Sequence, residues 1–315
     1  MSLSAATGLP LLTFPDADRS PLSIRAKALV FVDPRSKALR ERLEALAPSA
    51  LPVLIHGETG TGKELLARHL HKASNRPGLF VSVNCGALSP AYAQAELFGH
   101  APGASPGSAA SRAGWFGSAN GGTLYLDEIA DLPLAIQAAL LDALENHEVI
   151  RLGAAQPTPV DVRLVAASSI DLSRAVAAGK FNEQLWRYLD EGRLVLPALR
   201  ERPGDILALA DYFLGVYSHR LSLPVPAFSE DAAQLLLTHA WPGNTRELEN
   251  VVHFALLISE GDDILPTHLH QAGVGNHLAA LEHHLAQCIK VSAKGEKAAA
   301  LALLQRYTAV LENNS

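Results

Sequence analysis

LPVLIHGETGTGKELLARHLHKA, residues 51–73, sets an apolar run, a glycine-rich turn and a helical pattern in immediate succession. The run LPVLI (51–55) has the length and bounds of a buried strand, and ELLARHLHKA (64–73) spaces its leucines along one helical face. Between them, Gly57 to Glu64 reads G-E-T-G-T-G-K-E. In a G-x-x-x-x-G-K turn the glycines let successive backbone N–H groups turn inward around phosphate oxygens, and the lysine adds a point charge at the β and γ phosphates. A glycine-rich turn without function has the same composition; the strand before it and the helix after it are what phosphate binding requires. The loop Gly57, Glu58, Thr59, Gly60, Thr61, Gly62, Lys63 and Glu64 is therefore expected to bind ATP. Glu64 stands where a Ser or Thr commonly ligates Mg²⁺, so the metal needs support from elsewhere.

Outward from the loop, further short apolar runs at LFVSV (79–83), TLYLD (123–127), VRLVAA (162–167) and RLVL (193–196) alternate with helical patterns such as PLAIQAALLDALEN (133–146). Such alternation indicates an α/β fold, a five-stranded parallel sheet flanked by helices. TLYLDE ends in Asp127 and Glu128 at the carboxyl end of a buried strand, the edge at which open parallel sheets bind ligands. Two acids there also suit a solvated turn. Paired with the phosphate loop, Asp127 is expected to hold Mg²⁺ and Glu128 to polarise an attacking water.

From Leu199 onward the strand signals stop. DILALADYFLGVYSHRL, SEDAAQLLLTHA and TRELENVVHFALLI read as helices, with Ser229 as one helix cap and Asn244 as another, Glu247 completing a capping box. The expected organisation is an N-terminal tail (1–24), an α/β nucleotide-binding subdomain (25–198), a small helical subdomain (199–273) and a C-terminal helical segment (274–315). The chain has 315 residues, 48% of them hydrophobic, enough for a sizeable core. Its net charge of −6 argues against a surface built wholly for nucleic acid. The two cysteines, Cys85 and Cys288, lie far apart, which suits a reducing cytoplasm, and no apolar run is long enough to cross a membrane.

Three signatures in order, GETGTGKELLARHLH (57–71), GWFGSANGGTLYLDEI (114–129) and WPGNTRELEN (241–250), resemble the AAA+ ATPase domain of bacterial enhancer-binding proteins, the activators of sigma-54 RNA polymerase. The resemblance runs from about Ala28 to Gln271. It implies an AAA+ P-loop fold with a helical lid, ATP hydrolysis with Mg²⁺, a homo-oligomeric ring and action on sigma-54 polymerase. By position it makes Asn84 the residue that holds Glu128 until the γ phosphate is sensed. It makes Ser168 and Ser169 sensors at that phosphate, and Arg246 the lid arginine that reaches the nucleotide.

The chain departs from the family in two places. A Gly-Ala-Phe-Thr-Gly-Ala loop contacts sigma-54 in the family, whereas Gly103, Ala104, Ser105, Pro106, Gly107 and Ser108 stand here, with no aromatic at the tip. In FNEQLWRYL (181–189), Asn182 and Tyr188 occupy the positions of two arginines that reach a neighbour's γ phosphate. Arg187 lies one residue away, about 100° round a helix, and is open to a phosphate role or a structural one. The last helical pattern, KAAALALLQRYTAVLEN, offers Arg306 and Thr308 beside Glu312, so a DNA-reading helix-turn-helix is set against a degenerate or dimerising pair. His268, His270, His283 and His284 lack the spacing of a zinc site. Two functions compete: an ATP-driven ring that remodels sigma-54 polymerase, and a regulator that binds ATP without driving sigma-54, acting as repressor or modulator of another activator.

Overall fold

The computed structural model describes residues 11–13, 28–104, 110–259, 261–272 and 274. All five expected strands form, as β3 (Val53–His56), β4 (Phe80–Asn84), β5 (Thr123–Asp127), β8 (Arg163–Ser168) and β9 (Arg193–Val195), in one parallel sheet of order β4-β5-β8-β3-β9. β8, at its centre, is buried at every residue, as a strand covered on both faces must be. Two short antiparallel pairs stand outside this sheet. β1 (Leu11–Thr13) pairs with β2 (Ala28–Val30), so three residues of the expected tail are strand; β6 (Glu148–Val149) pairs with β7 (Thr158–Pro159).

Side chains alternate across the sheet. Leu124 and Leu126 of β5 join Leu164 and Ala166 of β8 on one face. Helices α3 (Ala93–Phe98), α4 (Gly114–Ser118), α5 (Leu134–Asn146), α6 (Leu172–Ala177) and α7 (Glu183–Asp190) supply Leu97, Phe116, Leu140, Leu172 and Leu185 to the same cluster. Tyr125, Val165 and Ile55 point to the other face, against Leu39 and Leu43 of α1 (Pro34–Leu46) and Leu66 and Leu70 of α2 (Lys63–Ala73). The buried Arg163 guanidinium donates to the carbonyls of Leu46, Ala47 and Leu51, tying the end of α1 to the start of β8. It thereby satisfies carbonyls that a helix C-terminus leaves unpaired.

Four more helices follow: α8 (Ile206–Leu221), α9 (Glu230–Thr238), α10 (Asn244–Ser259) and α11 (Pro266–Gln271). Ser229 caps α9 as expected, its hydroxyl accepting from Ala232 N at 3.2 Å. The cap of α10 differs from the expectation. Glu247 accepts from Gly243 N at 2.7 Å, while the Asn244 side chain turns away to partners distant in sequence. By contacts the chain divides into two compact units. One holds the described residues up to Phe213 together with Ala240–Asn250; the other holds Leu214–His239 and the described residues from Val251 on. The second unit's interior includes Tyr217 stacked on His253, with ring centroids 4.0 Å apart. Ser105 to Ser108 and the last expected helices, with His283, His284, Arg306 and Thr308, lie outside the described residues. Among the described residues no helix is long and apolar enough to cross a membrane.

Candidate functional site

The carboxyl ends of β3, β8 and β5 lie side by side in the first unit, so the segments leaving them converge. After β3 the chain enters the glycine loop. Gly60 and Gly62 have φ of +81° and +105°, conformations that suit glycine. A Cβ on Gly60 would stand 2.3 Å from the Gly243 carbonyl oxygen, and one on Gly57 2.7 Å from that of Leu196. The buried Thr61 hydroxyl donates to the Glu58 carbonyl at 2.7 Å, closing the turn on itself. Lys63 opens α2 and is 7% exposed; its ammonium donates to the Gly57 carbonyl and to Glu128 Oε1, both at 3.0 Å.

After β5 the chain bends sharply at Glu128, whose φ of +50° is left-handed and uncommon for a residue with a side chain. That turn brings the carboxylate back to the loop and to β8. Its Oε2 accepts from Ser169 N and from the Ser169 hydroxyl, each at 2.8 Å. Burial pushes the Glu128 carboxyl upward, but the Ser169 donors and the Lys63 ammonium outweigh it and hold it below its ordinary value. Asp127 behaves in the opposite way. Burial raises its carboxyl, and the Tyr125 hydroxyl, donating to Oδ1 at 3.0 Å, offsets this in part together with Lys63.

The expected residues divide into those that meet and those that stand apart. Thr59, Gly60, Gly62, Lys63, Glu64, Asp127, Glu128 and Arg246 line one cavity of about 210 Å³, with Ala28, Leu65 and Phe213 as apolar wall. Glu64 is also paired with Arg68, at 2.8 Å. Arg246 N donates to the Gly60 carbonyl at 3.3 Å. Asn84 pairs in register with Asp127, yet its Oδ1 accepts from Gly86 N at 2.9 Å. The partners of Glu128 are Lys63 and Ser169, and the contact expected from Asn84 is not among them. Ser168 is fully buried and exchanges hydrogen bonds with the backbone of Ile170. Arg187 lies on α7, 70% exposed and paired with Glu183 at 2.5 Å, and does not line the cavity.

Several supports were not legible in the motifs. The loop's Glu58 receives the Arg200 guanidinium through two bonds, one of them 2.9 Å, and Asn244 Nδ2 at 3.0 Å. Those donors hold its pKa at about 2 against a smaller upward push from burial. The fully buried Asn244 also donates to the Thr59 carbonyl at 3.1 Å and accepts from Leu199 N at 2.8 Å. Arg202, 2% exposed, reaches the Thr61 carbonyl at 3.1 Å. Nothing in local pattern marks these contacts, because the partners lie far apart along the chain.

The residues fit a phosphate chain. A Cβ would be obstructed at Gly57 and Gly60, Gly62 takes a left-handed backbone, and the lysine is held inside the turn. The metal case rests on donor chemistry. No cluster of three or more His, Cys, Asp or Glu forms a cation site among the described residues, including His268 and His270. Mg²⁺ is commonly held by one or two carboxylates completed by substrate phosphates, and Asp127 is a desolvated carboxylate of that kind.

Comparison with known proteins agrees with this geometry. The model of the sigma-54 interaction domain matches residues 29–195, and that of the AAA+ ATPase lid domain matches residues 200–286. The chain is 53% identical to the sigma54-dependent transcriptional activator SfnR of Pseudomonas putida, over 79% of this chain and 68% of that one. It is 44% identical to the response regulator FleR of Pseudomonas aeruginosa, over 76% and 51%. Crystal structures of NtrX from Brucella abortus with ADP and with ATP superpose with TM-scores of 0.69 and 0.68 at 34% and 33% identity, covering 75% and 74% of this chain. The chain spans about half the length of NtrX. With its five-stranded parallel sheet and its phosphate loop, the chain belongs to the sigma-54-dependent transcriptional activator family of AAA+ P-loop proteins.

Proposed function

We propose that the chain binds ATP with Mg²⁺ in the cavity above the glycine loop and hydrolyses it to act on sigma-54-dependent transcription as part of a homo-oligomeric ring. One observation carries the reading: Lys63, held inside the loop and bonded to Glu128, lines a single cavity together with Asp127, Glu128 and Arg246. In this reading the loop N–H groups and Lys63 bind phosphate oxygens, Arg246 adds a guanidinium contact, and Asp127 would hold the metal. Mg²⁺, when bound, neutralises charge on the phosphate oxygens. Glu128 orients the attacking water, and Ser169 keeps its carboxylate ionised and aimed. Asn84 stays the candidate switch: Gly86 N occupies its Oδ1, and its Nδ2 is the group that would donate to Glu128.

The Lys63→Ala variant tests this reading. Equilibrium titration with a fluorescent ATP analogue should give saturable binding to the unaltered chain and none to the variant; equal affinity in both refutes the site.

A second reading has its own support. Asn182 caps α7, accepting from Leu185 N at 2.9 Å, and Tyr188 packs against the core, so neither position offers a cation. Arginine fingers contribute about 10³–10⁵ in rate to phosphoryl transfer. With Arg187 engaged by Glu183 and no aromatic at the Ser105–Pro106 tip, the chain binds ATP, turns it over slowly and modulates transcription without remodelling the polymerase.

A further inference from the structure

Tyr125 sits two residues before Asp127 on β5, so both side chains leave the sheet on the same face, the one that packs on α2. Its ring is 1% exposed and stacks on Phe80, with centroids 5.9 Å apart and planes at 22°. Packing of that kind asks only for an aromatic ring, and a phenylalanine would supply it. The phenol oxygen is the part packing does not require, and it donates to Asp127 Oδ1 at 3.0 Å.

A carboxylate at the end of a strand turns about its last torsions unless something holds it. The bond from Tyr125 takes one lone pair of Oδ1 and leaves the rest of the carboxylate's acceptor capacity open. Ring and donor are both fixed, one by the core and the other by the ring, so the carboxylate is held by a rigid support and not by a mobile surface group. Outer partners of this type orient metal-ligating groups, and their loss commonly weakens metal binding by about 10–100-fold.

We propose that Tyr125 is a positioning residue for Asp127, holding its carboxylate in one orientation for the Mg²⁺ that accompanies the nucleotide. The inference rests on the nucleotide-binding reading above. Tyr125→Phe is the test, since it removes one oxygen and keeps the stack. Binding of a fluorescent ATP analogue is titrated with Mg²⁺, and again in EDTA. The expected result is about a tenfold rise in the Mg²⁺ needed for half-maximal binding. Metal-free binding should be unchanged, and excess Mg²⁺ should restore the level of the unaltered chain. An unchanged Mg²⁺ requirement overturns the inference. Equal weakening with and without Mg²⁺ overturns it too, because that marks a packing effect. If the unaltered chain bound no nucleotide, or Lys63→Ala bound it equally, the function itself would fall and this inference with it.

Discussion

The Glu58 carboxylate does not line the cavity, yet Arg200 and Asn244 hold it on the outer side of the loop with a pKa of about 2, against an ordinary 4.5. A carboxyl depressed in the folded state stabilises that state fully above the unfolded value, and the contribution fades as pH falls from about 4.5 toward about 2. Urea unfolding of the unaltered chain and of Glu58→Gln should therefore differ most near neutrality and converge in acid. A gap that stays constant across that window would rule out the ion pair as its source. At this scale Lys63, Asp127 and Glu128 were readable, because backbone turn, charge and strand end coincide within a few residues. Asn244, Arg202 and the Tyr125 hydroxyl were not. A buried amide and a buried guanidinium look like helix-start and surface residues until the chain folds their distant partners onto them.

Among the elements, the phosphate loop offers a contrast between two glycines. Gly60 combines a left-handed backbone with a Cβ position 2.3 Å from a backbone oxygen, whereas the nearest atom to the Cβ position of Gly62 is a leucine methyl at 3.5 Å. Gly60→Ala must move the backbone at Gly243 and break the contact from Arg246 N. Gly62→Ala meets mainly the left-handed penalty of about 1–2 kcal/mol. Thermal unfolding should place Gly60→Ala well below Gly62→Ala in stability; the reverse order would contradict the close approach of the loop to the start of α10. The existence and direction of the strands were legible from apolar runs and intervening helices. Their spatial order was not, since nothing in the runs says that β8 inserts between β3 and β5. That insertion brings Ser169 to Glu128, a meeting no motif foretold.

For the whole molecule, the two readings differ in whether nucleotide use is coupled to sigma-54. Residues 103–108 carry no aromatic, and α7 presents a cap and a packed tyrosine where the resembled family carries two arginines. A purified system with sigma-54 polymerase and ATP, turnover measured in parallel, should give slow hydrolysis and little open complex if the second reading holds. Robust open-complex formation would select the remodelling ring. The arrangement at Lys63 bears on which anions can enter at all. Its ammonium already has a carboxylate partner, and that partner is moored by two bonds from Ser169. An ammonium carries three N–H donors, and Lys63 commits two of them to Gly57 and Glu128, so an entering phosphate oxygen would meet the third. On the proposed function, a nucleotide would add apolar contact with Ala28, Leu65 and Phe213 that an orthophosphate ion has no groups to make. A part-committed lysine beside an apolar wall would thereby favour a ligand with a ring over a small anion of the same charge.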